Sequence, residues 1–356
     1  MMMPASGRRM MQSIILNDMA KYKAIAVIYG SDSSEWEVSC RSGEFVASRI
    51  DGAEYDIYEI FARFGHWSLV ALRKQNSMRV TFAEGARPEV DKTDFSVSVF
   101  GEKVRFDFAY IVQHGFPGET GHLQGYLEML GIPHSSCSAF VSSVVFDKYA
   151  CKSYLREVDC VRLAPDMFVR KGDDVADFAR KVGETLSFPV FVKPTSGGSS
   201  FGITRVTEPG MLEEAVNFAF SESATVIVEQ GVSGRELTCA AYFDGKAVRS
   251  LPVIEIISDN AYFDYDAKYN GHSREVCPAQ IPDELASTVR STTERLYAYF
   301  GCSGVVRIDY IAAEDGLYFL EVNTIPGMTS ASLVPKMVRA EGLQMVDFLT
   351  TIIENA

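Results

Sequence analysis

The stretch from Gly304 to Asn323, GVVRIDYIAAEDGLYFLEVN, concentrates the residue types most able to do chemistry. It reads as two strands joined at Glu314-Asp315-Gly316, a three-residue hairpin loop closed by a left-handed glycine. That register sets Asp309 opposite Glu321 and Arg307 opposite Asn323, and because side chains alternate along a strand all four share one face. Two carboxylates directly opposed on a sheet repel each other, and a bound divalent cation removes the penalty. Asp309, Glu321 and Asn323 offer the oxygen ligands that suit Mg²⁺ (or Mn²⁺), an ion that keeps several waters and shares substrate phosphates. A solvated hairpin face is the ordinary origin of such alternation. Here the flanking residues are apolar, as in central strands, which argues for the metal.

A second stretch, Pro189 to Ile203 (PVFVKPTSGGSSFGI), delivers Lys193 at the end of a strand and then a loop holding Gly197, Gly198, Ser199, Ser200 and Gly202. Backbone N–H groups and hydroxyls in such a loop can close over phosphates, although a flexible linker has the same composition. Its place between two apolar strands favours the phosphate loop. Neither a Walker A loop nor a Gly-x-Gly-x-x-Gly fingerprint occurs, so a nucleotide would be held in some other way. A third stretch, Tyr262 to Tyr269 (YFDYDAKY), has aromatics at alternate positions and on spacing alone reads as half-buried strand.

The elements that must position these residues alternate between strand and helix. Ala24 to Tyr29 is an apolar run ending at Gly30, followed by Ser34 and Glu37 in the spacing of a capping box for a helix toward Ile50. Phe108 to Gln113 makes a second strand, and Leu123, Tyr126, Leu127 and Leu130 share one face of the helix that Gly131 and Pro133 end. This implies an α/β layer with a parallel sheet, and Ser68 to Lys103 adds strands and turns. After Lys148 come short strands (Asp166 to Arg170, Pro189 to Lys193, Thr225 to Glu229) and a helix near Met211 to Phe220, a small α+β unit. From Glu236 onward strand pairs and a helix around Asp283 to Phe300 make a third unit.

Bulk properties bound the partners. A chain of 356 residues with 47% hydrophobic and 23% charged residues suits two or three packed domains. A formal net charge of −13 opposes binding to nucleic acid. Seven scattered cysteines with no Cys-x-x-Cys pair read as reduced thiols at a cytoplasmic address. No apolar run is long enough for a membrane span or a signal core, and residues 1–23 are expected to form a disordered extension.

Taken together the chain resembles the D-alanine:D-alanine ligases. The resemblance rests on SSEWEVS, QHGFPGETGHLQGYLEMLGIP, DKYACK, FVKPTSGGSSFGI, VEQGVSGRELT, YFDYDAKY, and VVRIDY with FLEVNTIPGMTSASLVP, ordered from Ala24 to the last helix. It implies a three-domain ATP-grasp fold, α/β and α+β: an N-terminal Rossmann-like α/β domain over 24–147, a central subdomain over 148–235, and a C-terminal subdomain with the metal site over 236–356. It also implies a homodimer, ATP as co-substrate, and phosphoryl transfer to one D-alanine, whose acyl phosphate the amine of a second D-alanine attacks.

By position, the resemblance assigns Lys148, Lys193, Ser200 and Lys268 to the ATP phosphates, Glu229 and Val232 to the adenine, and Glu236 to the ribose. Asp309, Glu321 and Asn323 fall where the family holds its metal ions, the trio that the hairpin register selects independently. Arg307 matches the guanidinium that stabilises developing charge. Glu35 matches the acid that takes the first ammonium, with Ser199 and Tyr269 as its partners. Ser332, Leu333 and Gly327 match the second-substrate site, with His114 beside it. As an isolated histidine after an apolar strand, His114 would otherwise read as structural. The loops Pro194 to Phe201 and Asn260 to Arg274 are expected to close over bound nucleotide and substrate.

Three departures from the family pattern, Ser31, Thr120 and Ala331, bear on substrate identity more than on reaction type. A sister ligase joining D-alanine to D-serine or D-lactate is the nearest rival. Tyr269 after Lys268 favours an amine nucleophile. A nucleotide-binding regulatory protein without catalysis is a rival of another class, against which the intact Arg307 argues, since binding ATP alone would not require it.

Overall fold

Every residue of the run Ala24–Gly30 (β1) is buried, as an apolar strand inside a sheet must be. A computed structural model describes residues 20–197, 201–258 and 273–356. In it β1 lies at the inside of a five-stranded sheet, after which helix α1 (Trp36–Arg49) packs on the sheet face. Strands β2 (Asp56–Arg63), β3 (His66–Arg73) and β4 (Val80–Thr81) extend it on one side. The small ladder β5 (Val90–Asp91), β6 (Ser96–Val99) and β7 (Glu102–Arg105) forms a three-stranded sheet of its own, and β8 (Phe108–Ile111) pairs with β1. The expected parallel sheet is therefore mixed: β1 runs parallel to β2 and β8, but β3 returns antiparallel to β2. A tight turn at Phe64-Gly65 makes that hairpin, where a parallel crossover would need a helix.

Residues 20–23, which the sequence reading places in the extension, are packed. The Tyr22 ring stands 5.0 Å from Phe108, and the Lys23 and Ala24 N–H groups both donate to Asp107. Beyond β8, α2 (His122–Met129) buries Leu123 and Leu127 as its pattern predicts, followed by α3 (Ala139–Phe146) and α4 (Lys148–Tyr154), capped by Ser138 and Asp147.

The central unit is an antiparallel four-stranded sheet. It comprises β9 (Asp166–Arg170), helix α5 (Val175–Thr185), β10 (Val190–Pro194), β11 (Thr204–Val206), helix α6 (Leu212–Ala219) and β12 (Thr225–Gln230). Helix α5 went unread in the sequence, although Asp174 caps it and Phe178, Ala179 and Val182 make its apolar stripe. The buried side chains of this unit's core all come from Val169 to Val228, so it folds around itself. Burial of a single such valine is worth about 1.5–3 kcal/mol.

The third sheet is built from β13 (Arg235–Phe243), β14 (Val248–Ser250), β15 (Ile254–Ser258), β16 (Ser273–Val276), and after helix α7 (Asp283–Phe300) from β17 (Val305–Ala313) and β18 (Gly316–Asn323). Helices α8 (Leu333–Ala340) and α9 (Met345–Glu354) close the chain. One core joins this unit to the first: Ile25, Val27 and Tyr110 pack in the same cluster as Ile254, Met337, Phe348 and Ile352. Gly304, at φ +68°, holds the same two units together at the root of β17. A Cβ there would stand 1.9 Å from the Ser135 carbonyl, so no other residue permits that approach.

Candidate active site

Strands β17 and β18 pair as the alternation predicts, with Arg307 opposite Asn323 and Asp309 opposite Glu321. The loop is shorter than expected. Ala313 pairs with Gly316, leaving Glu314-Asp315 as a two-residue turn, and a bulge at Leu320 returns the missing residue before Glu321. Gly316, at φ +148°, sits under Arg162.

Arg307 Nε and Nη2 donate to the two Asp309 carboxylate oxygens, each at 2.9 Å. Thr238 Oγ1 from β13 donates to Asp309 Oδ1 at 2.5 Å, and Asn323 Nδ2 donates to Oδ2 at 3.2 Å. Lys148 Nζ stands 4.0 Å from Glu321 Oε2. Repulsion between the opposed carboxylates is thus offset partly by the protein's own cations. Burial alone would lower the Arg307 pKa; Asp309 and Glu321 outweigh it and raise it. Among the described residues no three His, Cys, Asp or Glu side chains converge as a metal cluster. Two carboxylates and an amide are an open set of hard donors, which fits an ion that completes its shell with water and phosphate oxygens.

Of these residues Lys148, Arg307, Glu321 and Asn323 line a cleft of about 610 Å³, together with Glu35, His114, Glu119, Gly327, Ser332 and Leu333. Glu35 enters from the turn after β1. The capping box does not form there: α1 begins at Trp36 with Glu35 at the cap position and no side-chain cap. Ser33 governs the turn instead, accepting from the Glu35 N–H at 3.2 Å and donating to the His114 carbonyl at 2.8 Å. That bond binds the loop after β1 to the loop after β8, so the acid's place is set by a neighbouring strand and not by local capping.

The His114 ring is buried, with Nδ1 3.0 Å from the Ile325 carbonyl and Nε2 3.4 Å from Ser42 Oγ. Burial lowers its pKa, and donation from Nδ1 to the carbonyl fits a neutral ring. On the opposite wall, Ser332 Oγ accepts from the Thr329 N–H at 3.0 Å and stands just before the first turn of α8, which Leu333 opens. Backbone N–H groups at such a terminus suit a carboxylate.

The residues assigned to the nucleotide form a second group. Lys193 Nζ donates to Glu229 Oε2 at 2.5 Å across the β10–β12 ladder, and Lys148 Nζ donates to the Gly197 carbonyl at 3.1 Å, beside the Gly/Ser loop. Val232 lies in the connection that follows, and Glu236 on β13 pairs with Ile256 and Ile311. Ser199, Ser200, Lys268 and Tyr269, with most of the two loops expected to close, lie outside the described residues.

The family profile described as D-ala D-ala ligase N-terminus matches residues 24–137, and that described as D-ala D-ala ligase C-terminus matches residues 157–354. The chain belongs to the D-alanine–D-alanine ligase family. The D-alanine–D-alanine ligase of Phocaeicola vulgatus is 42% identical over 334 residues, covering 94% of this chain and 99% of its own. That of Bacteroides fragilis is 41% identical over 332 residues, covering 93% and 98%. Among solved structures, the VanG D-Ala:D-Ser ligase from Enterococcus faecalis superposes with a TM-score of 0.81 at 29% identity, covering 93% of this chain and 98% of its own. D-alanyl-alanine synthetase A from Vibrio cholerae does so at 0.80 and 28%, covering 93% and 97%. The fold is that of the ATP-grasp enzymes, and the family is consistent with ATP and a divalent metal.

Within this ligase-family site, two residues escaped the sequence reading as functional. Lys152 is one, buried against Glu229. Glu119 is the other. It accepts from the Gly115 N–H at 2.7 Å and lines the cleft, and burial, with Glu35 and Glu321 nearby, pushes its carboxyl up to about 8. Because the folded value lies above the ordinary 4.5, the stability it contributes is complete at low pH and is lost as pH rises through about 8. Glu119→Gln keeps the acceptor and mimics the protonated acid. Its Tm should match wild type near about pH 4.5 and exceed it increasingly toward about pH 9. Parallel Tm curves across that range would show that Glu119 carries no extra proton.

Proposed function

We propose that this chain joins two D-alanine molecules to D-alanyl-D-alanine for peptidoglycan precursors, cleaving ATP to ADP and phosphate by way of an acyl phosphate. The observation that carries the reading is the buried Arg307 fork beside Glu321 and Asn323, in one cleft with Glu35 and the N-terminus of α8. Glu35 receives the ammonium of the first D-alanine, and Ser332 with the Leu333 N–H receives the carboxylate of the second. Gly327 and His114 shape the loops between them. Arg307, held by Asp309 through Nε and Nη2, offers its remaining N–H groups to the charge that develops on the transferring phosphoryl group and then on the tetrahedral carbon, where fixed donors act without reorganisation. Lys148 and Lys193 hold the nucleotide's phosphates, with Glu229, Val232 and Glu236 on its adenine and ribose.

Asp309, Glu321 and Asn323 would hold Mg²⁺ or Mn²⁺, which when bound neutralises phosphate charge and orients the transferred group. The same reading divides the chain at 147/148 and 235/236, and makes the protein a cytoplasmic homodimer. No helix among the described residues is long and apolar enough to cross a membrane.

Phosphate release in the presence of ATP and Mg²⁺ is the test. D-alanine should support it and yield the dipeptide, while L-alanine should not. D-serine and D-lactate offered with D-alanine separate this activity from that of a sister ligase, a comparison made necessary by the likeness to a D-Ala:D-Ser ligase. Equal turnover of L-alanine, or none with any D-amino acid, removes the assignment.

A further inference from the structure

Lys148 and Lys152 are one helical turn apart on α4, so they leave the helix on the same side but reach different residues of the group assigned to the nucleotide: Lys148 reaches Gly197 and Glu321, Lys152 reaches Glu229. Only 2% of the Lys152 side chain is exposed. Its ammonium donates to the Ala164 carbonyl at 2.8 Å and to Glu229 Oε1 at 2.5 Å, and forms an ion pair with Asp166 Oδ2 at 3.0 Å. Glu229 on β12 and Asp166 on β9 are direct cross-strand partners, two acids that would repel without a cation between them. Arg156 adds a second cation to Asp166 at 3.3 Å.

Lys193 differs from Lys152 in what holds it. It shares the Glu229 carboxylate, at 2.5 Å from Oε2, but 16% of its side chain is exposed and it ends the strand that leads into the Gly/Ser loop. A polyphosphate arriving at that loop can draw Lys193 away. Lys152 has no such freedom, since a buried ammonium cannot leave Glu229 and Asp166 without stranding two carboxylates.

We infer that Lys152 is a positioning residue for nucleotide recognition: it pins Glu229 through Oε1 and keeps it ionised once Lys193 turns to phosphate, leaving Oε2 as a charged acceptor for the exocyclic amine of adenine. The inference rests on the assignment of Glu229 to the base. Burial alone would raise the Glu229 carboxyl, yet the ammonium groups of Lys193 and Lys152 bring it down to about 2, so the acid is fully ionised at neutral pH. A base with a carbonyl in place of the amine offers Oε2 no proton, and the pinned carboxylate repels it. Lys152 therefore acts on which purine is accepted without touching it.

The experiment compares ATP with inosine triphosphate, whose base carries a carbonyl at that position, in steady-state phosphate release by Lys152→Met, Lys152→Arg and Glu229→Gln. Lys152→Met should raise the KM for ATP by about tenfold or more, leave that for inosine triphosphate within about threefold, and change kcat and the KM for D-alanine little. Preference for ATP collapses accordingly, and Lys152→Arg restores part of it. A folded Lys152→Met protein that keeps its purine preference, or loses both nucleotides equally, overturns the inference, because a merely structural lysine predicts either result. Should Lys152→Met fail to fold, Lys152→Met with Asp166→Asn removes one charge of each sign and is judged by the same ratio. Glu229→Gln separates the two levels of the argument. Unaltered purine preference there overturns the placement of the base itself, whereas a loss in Glu229→Gln without one in Lys152→Met overturns only the part given to Lys152.

Discussion

Arg307→Met should lower kcat for phosphate release by about a thousandfold while the protein remains folded, the largest effect expected from any single substitution in the cleft. The guanidinium is held by both oxygens of Asp309, is mostly buried, and faces the cleft where charge would develop. Methionine fills comparable space and supplies no donor. Its removal also leaves Asp309 facing the Thr238 hydroxyl and the Asn323 amide without its guanidinium, and breaking a buried pair in this way costs about 3–5 kcal/mol. A divalent cation can repair that loss. Mg²⁺ should therefore raise the Tm of Arg307→Met more than that of wild type, a readout independent of turnover. Equal Mg²⁺ shifts in the two proteins would mean that Asp309 does not face the ion.

Glu321→Gln should reduce turnover by about a hundredfold at ordinary Mg²⁺ and recover part of it as Mg²⁺ is raised. Its effect on apo stability runs the other way. The hairpin loses a like-charge opposition with Asp309 and gives up a pair with Lys148 that is as long as 4.0 Å, so Tm without metal should hold or rise. Activity close to wild type at ordinary Mg²⁺ would show that the functional face of the hairpin is the other one.

What was legible in the sequence and what was not divides by distance along the chain. Opposition of Asp309 to Glu321 follows from alternation within twenty residues, and the strands and helices that carry the site declare themselves by apolar runs and by stops such as Gly131. Ser34 misled because capping depends on which hydroxyl faces the helix end, and the hydroxyl that orders this turn is Ser33, bonded to the loop after β8, 81 residues away. Lys152 and Glu229 are 77 residues apart and meet only because α4 packs against the central sheet, its Tyr149 ring stacked on Phe168 of β9 at 4.2 Å. No spacing encodes such a contact. Glu119 escaped for a different reason: its proton affinity comes from burial and from two other acids, properties of a wall assembled from the loops after β1 and β8 and from strand β18.

The bulge at Leu320 makes the hairpin a structure with one residue of slack. Asp309 and Glu321 remain opposite whether that residue sits in the bulge with a two-residue tip, as here, or moves to the tip in an unbulged ladder with a three-residue turn. Length changes at Glu314-Asp315 can therefore be taken up within the outer half of the ladder, and deletion of Leu320 restores simple alternation from Phe319 to Glu321 without shifting the pair. In evolutionary terms the tip is insulated from the metal-facing end, free to gain or lose a residue where an unbuffered hairpin would turn its acids to the wrong side of the sheet.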